Sequence, residues 1–189
     1  MLKISNKIKR ELDSACRVLD SGGVIAYPTE YCFGLGCDPR DETAVQRLLD
    51  IKARSAEQGV ILIAASLDQV KLYANWSEIS DPDAIMDSWP GPNTWVMPAH
   101  ESVSPMVRGK HESIAMRIPQ HDFCLTLLTQ YGHPIVSTSA NRSGEKEHLL
   151  ASTVKQDIGV ECDYIIDLPV GGAQRASTIR DAITGTTLR

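Results

Sequence analysis

Apolar positions recur along this chain in two periods, helical and strand-like, and the periods alternate from one stretch to the next. Ile8, Leu12, Ala15, Cys16 and Leu19 fall at helical spacing, with Lys7, Lys9, Arg10, Asp13 and Asp20 on the other face, which predicts an amphipathic helix ended by Gly22-Gly23. Residues 24–27 are a short apolar strand that enters a proline-fixed loop, 28–38, with a bend at Gly34-Leu35-Gly36. Asp41 is placed to cap a helix reaching about Lys52, with Val45, Leu48, Leu49 and Ile51 buried. Residues 59–64 are almost continuously apolar, as expected of a strand covered on both faces. Ser66-Leu67-Asp68-Gln69 has capping-box spacing and opens a helix to about Ala74, and Asp81-Pro82 opens another. A rigid loop, 89–94, feeds a strand at 95–97, and 113–119 alternates as a strand. Residues 121–131 are helical with Gly132 as the stop, a strand follows at 135–138, Ser152 caps a short helix, 164–167 is a strand, and 171–181 is a small-residue loop entering a last strand.

The stretch 135–144 organises the rest. It opens as Ile135-Val136 and turns into Ser137-Thr138-Ser139-Ala140-Asn141-Arg142-Ser143-Gly144, as a strand does when it ends in a ligand-contacting loop. Short side chains let backbone N–H groups approach an oxyanion, and the hydroxyls and the Asn141 amide add donors and acceptors. Open α/β sheets place ligands at the carboxyl ends of their strands. An ordinary Ser-rich turn is the competing reading. Thr29 and Glu30 project where the first strand stops, unless that segment only connects. Lys52 and Arg54, two residues apart, do not share a helix face. They converge on one anion only if the helix ends between them, which Ser55 and Gly59 allow; a solvated basic helix end is the other reading. Arg117 lies on the strand face opposite Met116 and Ile118. In mid-strand it needs either a buried ion pair or an anionic ligand, and the guanidinium fork fits a carboxylate. The Gly171-Gly172 pair sits in neither a GxxxxGK[ST] nor a GxGxxG motif, which excludes the Walker and Rossmann readings.

Composition narrows the classes. The 189 residues suit one domain with a substantial core, and 42% apolar with 23% charged residues is globular and soluble in character. Aromatics at 5% argue against a stacking platform for single strands, and a net charge of −5 gives no global pull toward nucleic acid. The five cysteines are scattered with no CxxC pair, so neither zinc nor a disulfide framework is expected, and reduced thiols suit the cytoplasm. No run is long enough to span a membrane, and residues 1–9 lack a signal-peptide core.

Pro28-Thr29-Glu30 with Gly34-Leu35-Gly36, Lys52-x-Arg54, Arg117-x-Pro119, Ser137-Thr138-Ser139-Ala140-Asn141-x-Ser143-Gly144 and Ser177-Thr178-Ile179-x-Asp181 together resemble the YrdC-like family, in particular its short bacterial threonylcarbamoyl-AMP synthases. The resemblance covers essentially the whole chain, 1–189, as a single YrdC-like domain. It implies an α/β fold, an open twisted mixed sheet flanked by helices around a large concave basic groove. It implies synthesis of threonylcarbamoyl-adenylate from L-threonine, bicarbonate or CO2 and ATP, with Mg²⁺ arriving on the nucleotide and no tightly bound cofactor. Partner proteins of tRNA modification would use the product. By the same resemblance Lys52 and Arg54 are the catalytic pair on the triphosphate, Ser139, Asn141 and Ser177 complete the ATP site, and Thr29, Tyr31, Arg117 and Ser137 form the threonine site. No metal ligand and no general base stand out. Tyr31 replaces a threonine of many members, and Ser55 and Gln58 replace a proline and a lysine. The rival class is an RNA-binding module without catalysis, for tRNA or a ribosomal RNA precursor. Its patch would use Lys52, Arg54, Arg108, Lys110, Arg117, Arg142 and Arg175, and weak tRNA or double-stranded RNA binding is compatible with both classes.

Overall fold

A computed structural model describes residues 5–189; residues 1–4 of the N-terminal reading lie outside it. Its strands are β1 (Ile25–Pro28), β2 (Phe33–Gly36), β3 (Ile61–Ile63), β4 (Asn93–Pro98), β5 (Ser113–Arg117), β6 (Ile135–Ser139), β7 (Tyr164–Ile165) and β8 (Thr178–Asp181). They form one mixed sheet in the order β7-β1-β2-β6-β3-β5-β4-β8. The pairs β7/β1, β3/β5 and β4/β8 are parallel and the rest antiparallel. The helices are α1 (Asn6–Asp20), α2 (Glu42–Lys52), α3 (Leu67–Val70), α4 (Pro82–Asp87), α5 (Pro105–Arg108), α6 (Asp122–Tyr131) and α7 (Ala151–Asp157).

Strand alternation divides the core in two. Tyr27, Ile63 and Ile135 face Leu12 and Leu19 of α1 and Phe123, Leu127 and Leu128 of α6. Their chain neighbours Ala26, Leu62 and Val136 face the opposite way, into a cluster with Leu48 and Leu49 of α2. The strand expected to be covered on both faces is covered so at Leu62 and Ile63, while Ile61 is half-buried beside a cavity. Farther along the sheet, Ile114 and Met116 of β5 and Trp95 and Met97 of β4 join the second cluster. On those strands the other face is left to a cavity lined by Ser113, Ala115, Arg117, Thr94 and Val96.

Several boundaries differ from the sequence expectation. The Gly34-Leu35-Gly36 bend is strand β2, hairpinned to β1. Its glycines are there for space: an added Cβ would lie 3.2 Å from the Tyr27 ring at Gly34, and 2.8 Å from the Val136 carbonyl at Gly36. The helix opened by Ser66 is only α3, because Ala74 bridges to Ala99 and the Asn75 amide donates to the Pro98 carbonyl, drawing the chain to the sheet. Gln69 does not close the capping box either; its side chain accepts from the Ala65 amide. Helix α7 begins after Leu150 with no side-chain cap, so Ser152 is not its cap. The strand at 164–167 is only β7, the one at 95–97 is the longer β4, and α5 opens on Ser104-Pro105, a cap-and-proline signal of the Asp81-Pro82 kind that was passed over in the sequence.

Candidate active site

A cavity of about 510 Å³ occupies the face of β3, β5, β4 and β8 that the α1–α6 pair leaves open. Thr29 and Tyr31 after β1, Ser137 and Ser139 on β6, Arg54 beyond α2, Arg117 on β5 and Ser177 before β8 all stand on its wall. Seven of the nine expected site residues thus meet in one place, and Lys52 and Asn141 lie behind the wall. The site spreads over a sheet face instead of a row of carboxyl ends, because a mixed sheet has no common carboxyl end. The serine-rich run also differs from a loop cradle. It is strand as far as Ser139, in register with Ile61 of β3 and with Leu35 and Gly34 of β2, so it offers the cavity hydroxyls on a rigid ladder.

On one side the groups suit an amino acid. Arg117 is buried and pairs with Glu30 at 3.0 Å, and the other Glu30 oxygen accepts from the Gln120 amide at 2.7 Å. Both readings of Arg117 therefore meet in one side chain, which is ion-paired and also on the cavity wall. Thr29 is buried, its hydroxyl donating to the Cys32 carbonyl at 2.8 Å. Ser137 accepts a hydrogen bond of 2.7 Å from Tyr27. Burial holds the Tyr27 phenol well above its usual range, which keeps the donor protonated.

On the other side the groups suit phosphate. Helix α2 ends at Lys52, and Ala53 takes a left-handed conformation at φ 49°, which parts the two cations. Arg54 turns to the cavity, where one guanidinium nitrogen donates to the Gly59 carbonyl at 2.9 Å and Nε is buried without a partner. Burial, and then the guanidinium of Arg189, lower its affinity for its proton. Lys52 turns inward instead of forming a solvated helix end. Its Nζ donates to the carbonyls of Ser139 at 2.6 Å and Asn141 at 2.5 Å and lies 3.3 Å from the Ser139 hydroxyl. Burial first, and Arg54 second, push its pKa down to about 8. Asn141 is buried too, bracing the loop by donating to the Arg142 and Glu145 carbonyls, while its Oδ1 has no partner. Ser177 shares a 2.8 Å hydrogen bond with Thr94.

Five arginines stand on the wall, Arg54, Arg108, Arg117, Arg175 and Arg189, against the carboxylates of Glu30 and Glu147. Sequence reading passed over Glu147 and Arg189. Arg189 arrives because the chain reverses after β8 and the Ile179 amide donates to the Arg189 carbonyl at 3.0 Å. Thr184-Gly185 was the available turn signal. Gln58 faces the cavity at the position where a lysine was expected. The seven-cation RNA patch assembles only in part: Arg54, Arg108, Arg117 and Arg175 share the wall, but Lys52 is buried and Arg142 is drawn to Glu161 at 2.5 Å. Among the described residues no three His, Cys, Asp or Glu side chains could hold a metal ion together.

The Sua5/YciO/YrdC family model, described as telomere recombination, matches residues 17–189. A threonylcarbamoyl-AMP synthase of Klebsiella pneumoniae is 45% identical over 177 residues, 93% of this chain and 93% of that protein. Another, of Photobacterium profundum, is 42% identical over 180 residues, 94% and 97% of the two chains. Among solved structures, P. abyssi Sua5 complexed with L-threonine superposes with a TM-score of 0.85 at 32% identity; the match covers 95% of this chain and 52% of that one, so this chain spans about half its length.

Proposed function

The chain belongs to the Sua5/YciO/YrdC family, and from that membership we propose that it is an L-threonylcarbamoyladenylate synthase, a nucleotidyltransferase serving threonylcarbamoyl modification of tRNA. The observation that carries this reading is the pairing, in one cavity, of a carboxylate-type subsite around Arg117 with a phosphate-type subsite around Arg54, Ser139 and Ser177. In the reaction the threonine amine bonds to the carbon of CO2 and gives up a proton, or takes carbon from bicarbonate with loss of water. A carbamate oxygen then bonds to the α-phosphorus of ATP as the bond to the departing pyrophosphate breaks. Both partners are anionic, so the chain's task is to neutralise and align them.

Arg117 binds the threonine carboxylate, with Thr29, Tyr31 and Ser137 around the amino acid. Arg54, Ser139 and Ser177 meet the nucleotide, with Arg189 at hand. Lys52 serves the same subsite from behind by holding the Ser139 carbonyl, and Asn141 braces the turn that follows, 141–145. Mg²⁺ would arrive with ATP as part of the substrate and would offset phosphate charge there. The enzyme would work in the cytoplasm with partner proteins that pass the threonylcarbamoyl group to tRNA; no helix among the described residues is long and apolar enough to cross a membrane.

Product analysis tests the reading. The purified chain is incubated with Mg-ATP, bicarbonate and each amino acid in turn, and the products are read by mass spectrometry. A threonylcarbamoyl-adenylate with pyrophosphate is expected with threonine, and its yield should fall at least about a hundredfold in Arg54→Ala, as when one transition-state donor is removed. No adenylate with any amino acid, together with RNA binding that collapses as salt rises, would move the assignment to an RNA-binding module.

A further inference from the structure

The cavity wall holds a buried arginine, Arg117, and a half-buried one, Arg54, in different electrical states. Arg117 has a carboxylate at 3.0 Å, with side-chain exposures of 11% for Arg117 and 17% for Glu30. Arg54 has no carboxylate within ion-pair distance among the described residues; it has a carbonyl and an orphaned Nε. A guanidinium cannot escape its charge by releasing a proton. Left unpaired in a desolvated wall it attracts whatever anion enters, and a triphosphate carries far more charge than an amino-acid carboxylate. A cavity that must seat both anions at once therefore needs a reason for the triphosphate to leave one arginine alone.

We propose that Glu30 sorts the two substrates, cancelling the charge of Arg117 against phosphate and so reserving that guanidinium for the carboxylate of an amino acid. This deepens the proposed function and rests on it. The Arg117–Glu30 pair is close to neutral overall, as is a zwitterionic amino acid, so neither repels the other. A triphosphate approaching Arg117 meets Glu30 as a like charge bonded to that guanidinium, whereas no carboxylate is paired with Arg54; the other acid of the wall, Glu147, acts on Lys52 and Cys32. Specificity of this kind comes from a repulsive element against the wrong ligand. Glu30 is built to stay in place. Its second oxygen is held by the Gln120 amide, and its own carbonyl and that of Thr29 accept from the amides of Ala173 and Gly171. It engages one nitrogen of Arg117, leaving further guanidinium donors for a ligand. Glu30 is thus a positioning residue that acts through Arg117.

The test is an inhibition pattern. In the wild-type chain pyrophosphate should compete with ATP and not with threonine. In Glu30→Gln it should compete with threonine as well, and the KM for threonine should rise at least about fivefold while kcat changes less. A residue with only a structural role would lower kcat or the melting temperature without creating that competition. Calorimetry reads the same point without turnover: one pyrophosphate bound per wild-type chain and two per Glu30→Gln chain. If Glu30→Gln does not fold, Glu30→Asp, which draws the charge back from Arg117, should show weaker competition of the same kind. A variant in which pyrophosphate still ignores threonine and binds only once overturns the sorting role. Absence of adenylate from the wild-type chain overturns the synthase reading instead, and the calorimetric stoichiometry then decides the sorting role separately.

Discussion

Lys52 loses its water at the foot of α2 and gains three oxygens: two carbonyls and a hydroxyl from the end of β6. An ammonium has three N–H bonds, so the set is complete. The arrangement has a pH signature whose sign is fixed. The folded-state pKa of about 8 lies below the ordinary 10.5, chiefly through burial and then through Arg54. Between those values the unfolded chain still holds a proton that the folded chain has released, so the unfolded state binds more protons and stability gains with rising pH. Below pH 8 both states are protonated and the gain vanishes. Lys52→Met lacks the titration and leaves two buried carbonyls bare. We expect the unfolding free energy of the wild-type chain, measured in urea relative to Lys52→Met, to rise between pH 8 and 10 by at most about 1.4 kcal/mol per pH unit. A difference that stays flat across that interval would show that Lys52 titrates normally.

The segment from β7 to β8 is the element that ties the amino-acid side of the cavity together. It crosses the end of β1, where the Gly171 amide donates to the Thr29 carbonyl at 2.9 Å and the Ala173 amide to the Glu30 carbonyl at 2.8 Å. Its two glycines have different reasons to be glycine. A Cβ on Gly171 would lie 3.0 Å from the Cα of Glu30 and 3.2 Å from the His121 ring, whereas Gly172 has open space and needs only its φ of +81°. Gly171→Ala should push the strap off Glu30 and raise the KM for threonine several-fold, with the KM for ATP little changed. Gly172→Ala should cost only about 1–2 kcal/mol of backbone strain, seen as a lower melting temperature at unchanged KM. Equal KM values for the two variants would mean that the strap does not support the site. Sequence carried the local half of this architecture. Asp41 caps α2 through the Thr43 and Ala44 amides, Gly132 ends α6 in the left-handed region, and Arg117 falls on the strand face that period-two spacing assigns it. It did not carry what depends on partners distant in the chain. Gly36 read as part of a bend because the Val136 carbonyl that leaves it no room for a Cβ comes from β6, and Lys52 read either as a phosphate ligand or as a solvated helix end because its acceptors, on Ser139 and Asn141, lie at the end of β6 and just beyond it.

The whole molecule carries a net charge of −5, yet its cavity wall sets five arginines against two glutamates. That wall is cationic by side-chain count within an acidic molecule, which suits a compact polyanion. Residues on the wall come from the end of β1, from β3 to β6, from β8 and from the chain beyond it, so an anion seated there bridges segments that are otherwise joined only through the sheet. A ligand that binds only the folded state stabilises it by about 2.7 kcal/mol at a hundred times its Kd. For a chain of this size that corresponds to roughly 5–10 °C in melting temperature. Pyrophosphate, the proposed product, should therefore raise the melting temperature of the wild-type chain by that amount, and Arg54→Ala should retain less than half of the shift. The gain should diminish only gradually with added salt, since a small ligand replaces few condensed counterions. If pyrophosphate gives no shift, and a tRNA-sized duplex gives a large one that disappears between about 50 and 200 mM salt, the concave face is a backbone-binding groove and the small-molecule site is not there.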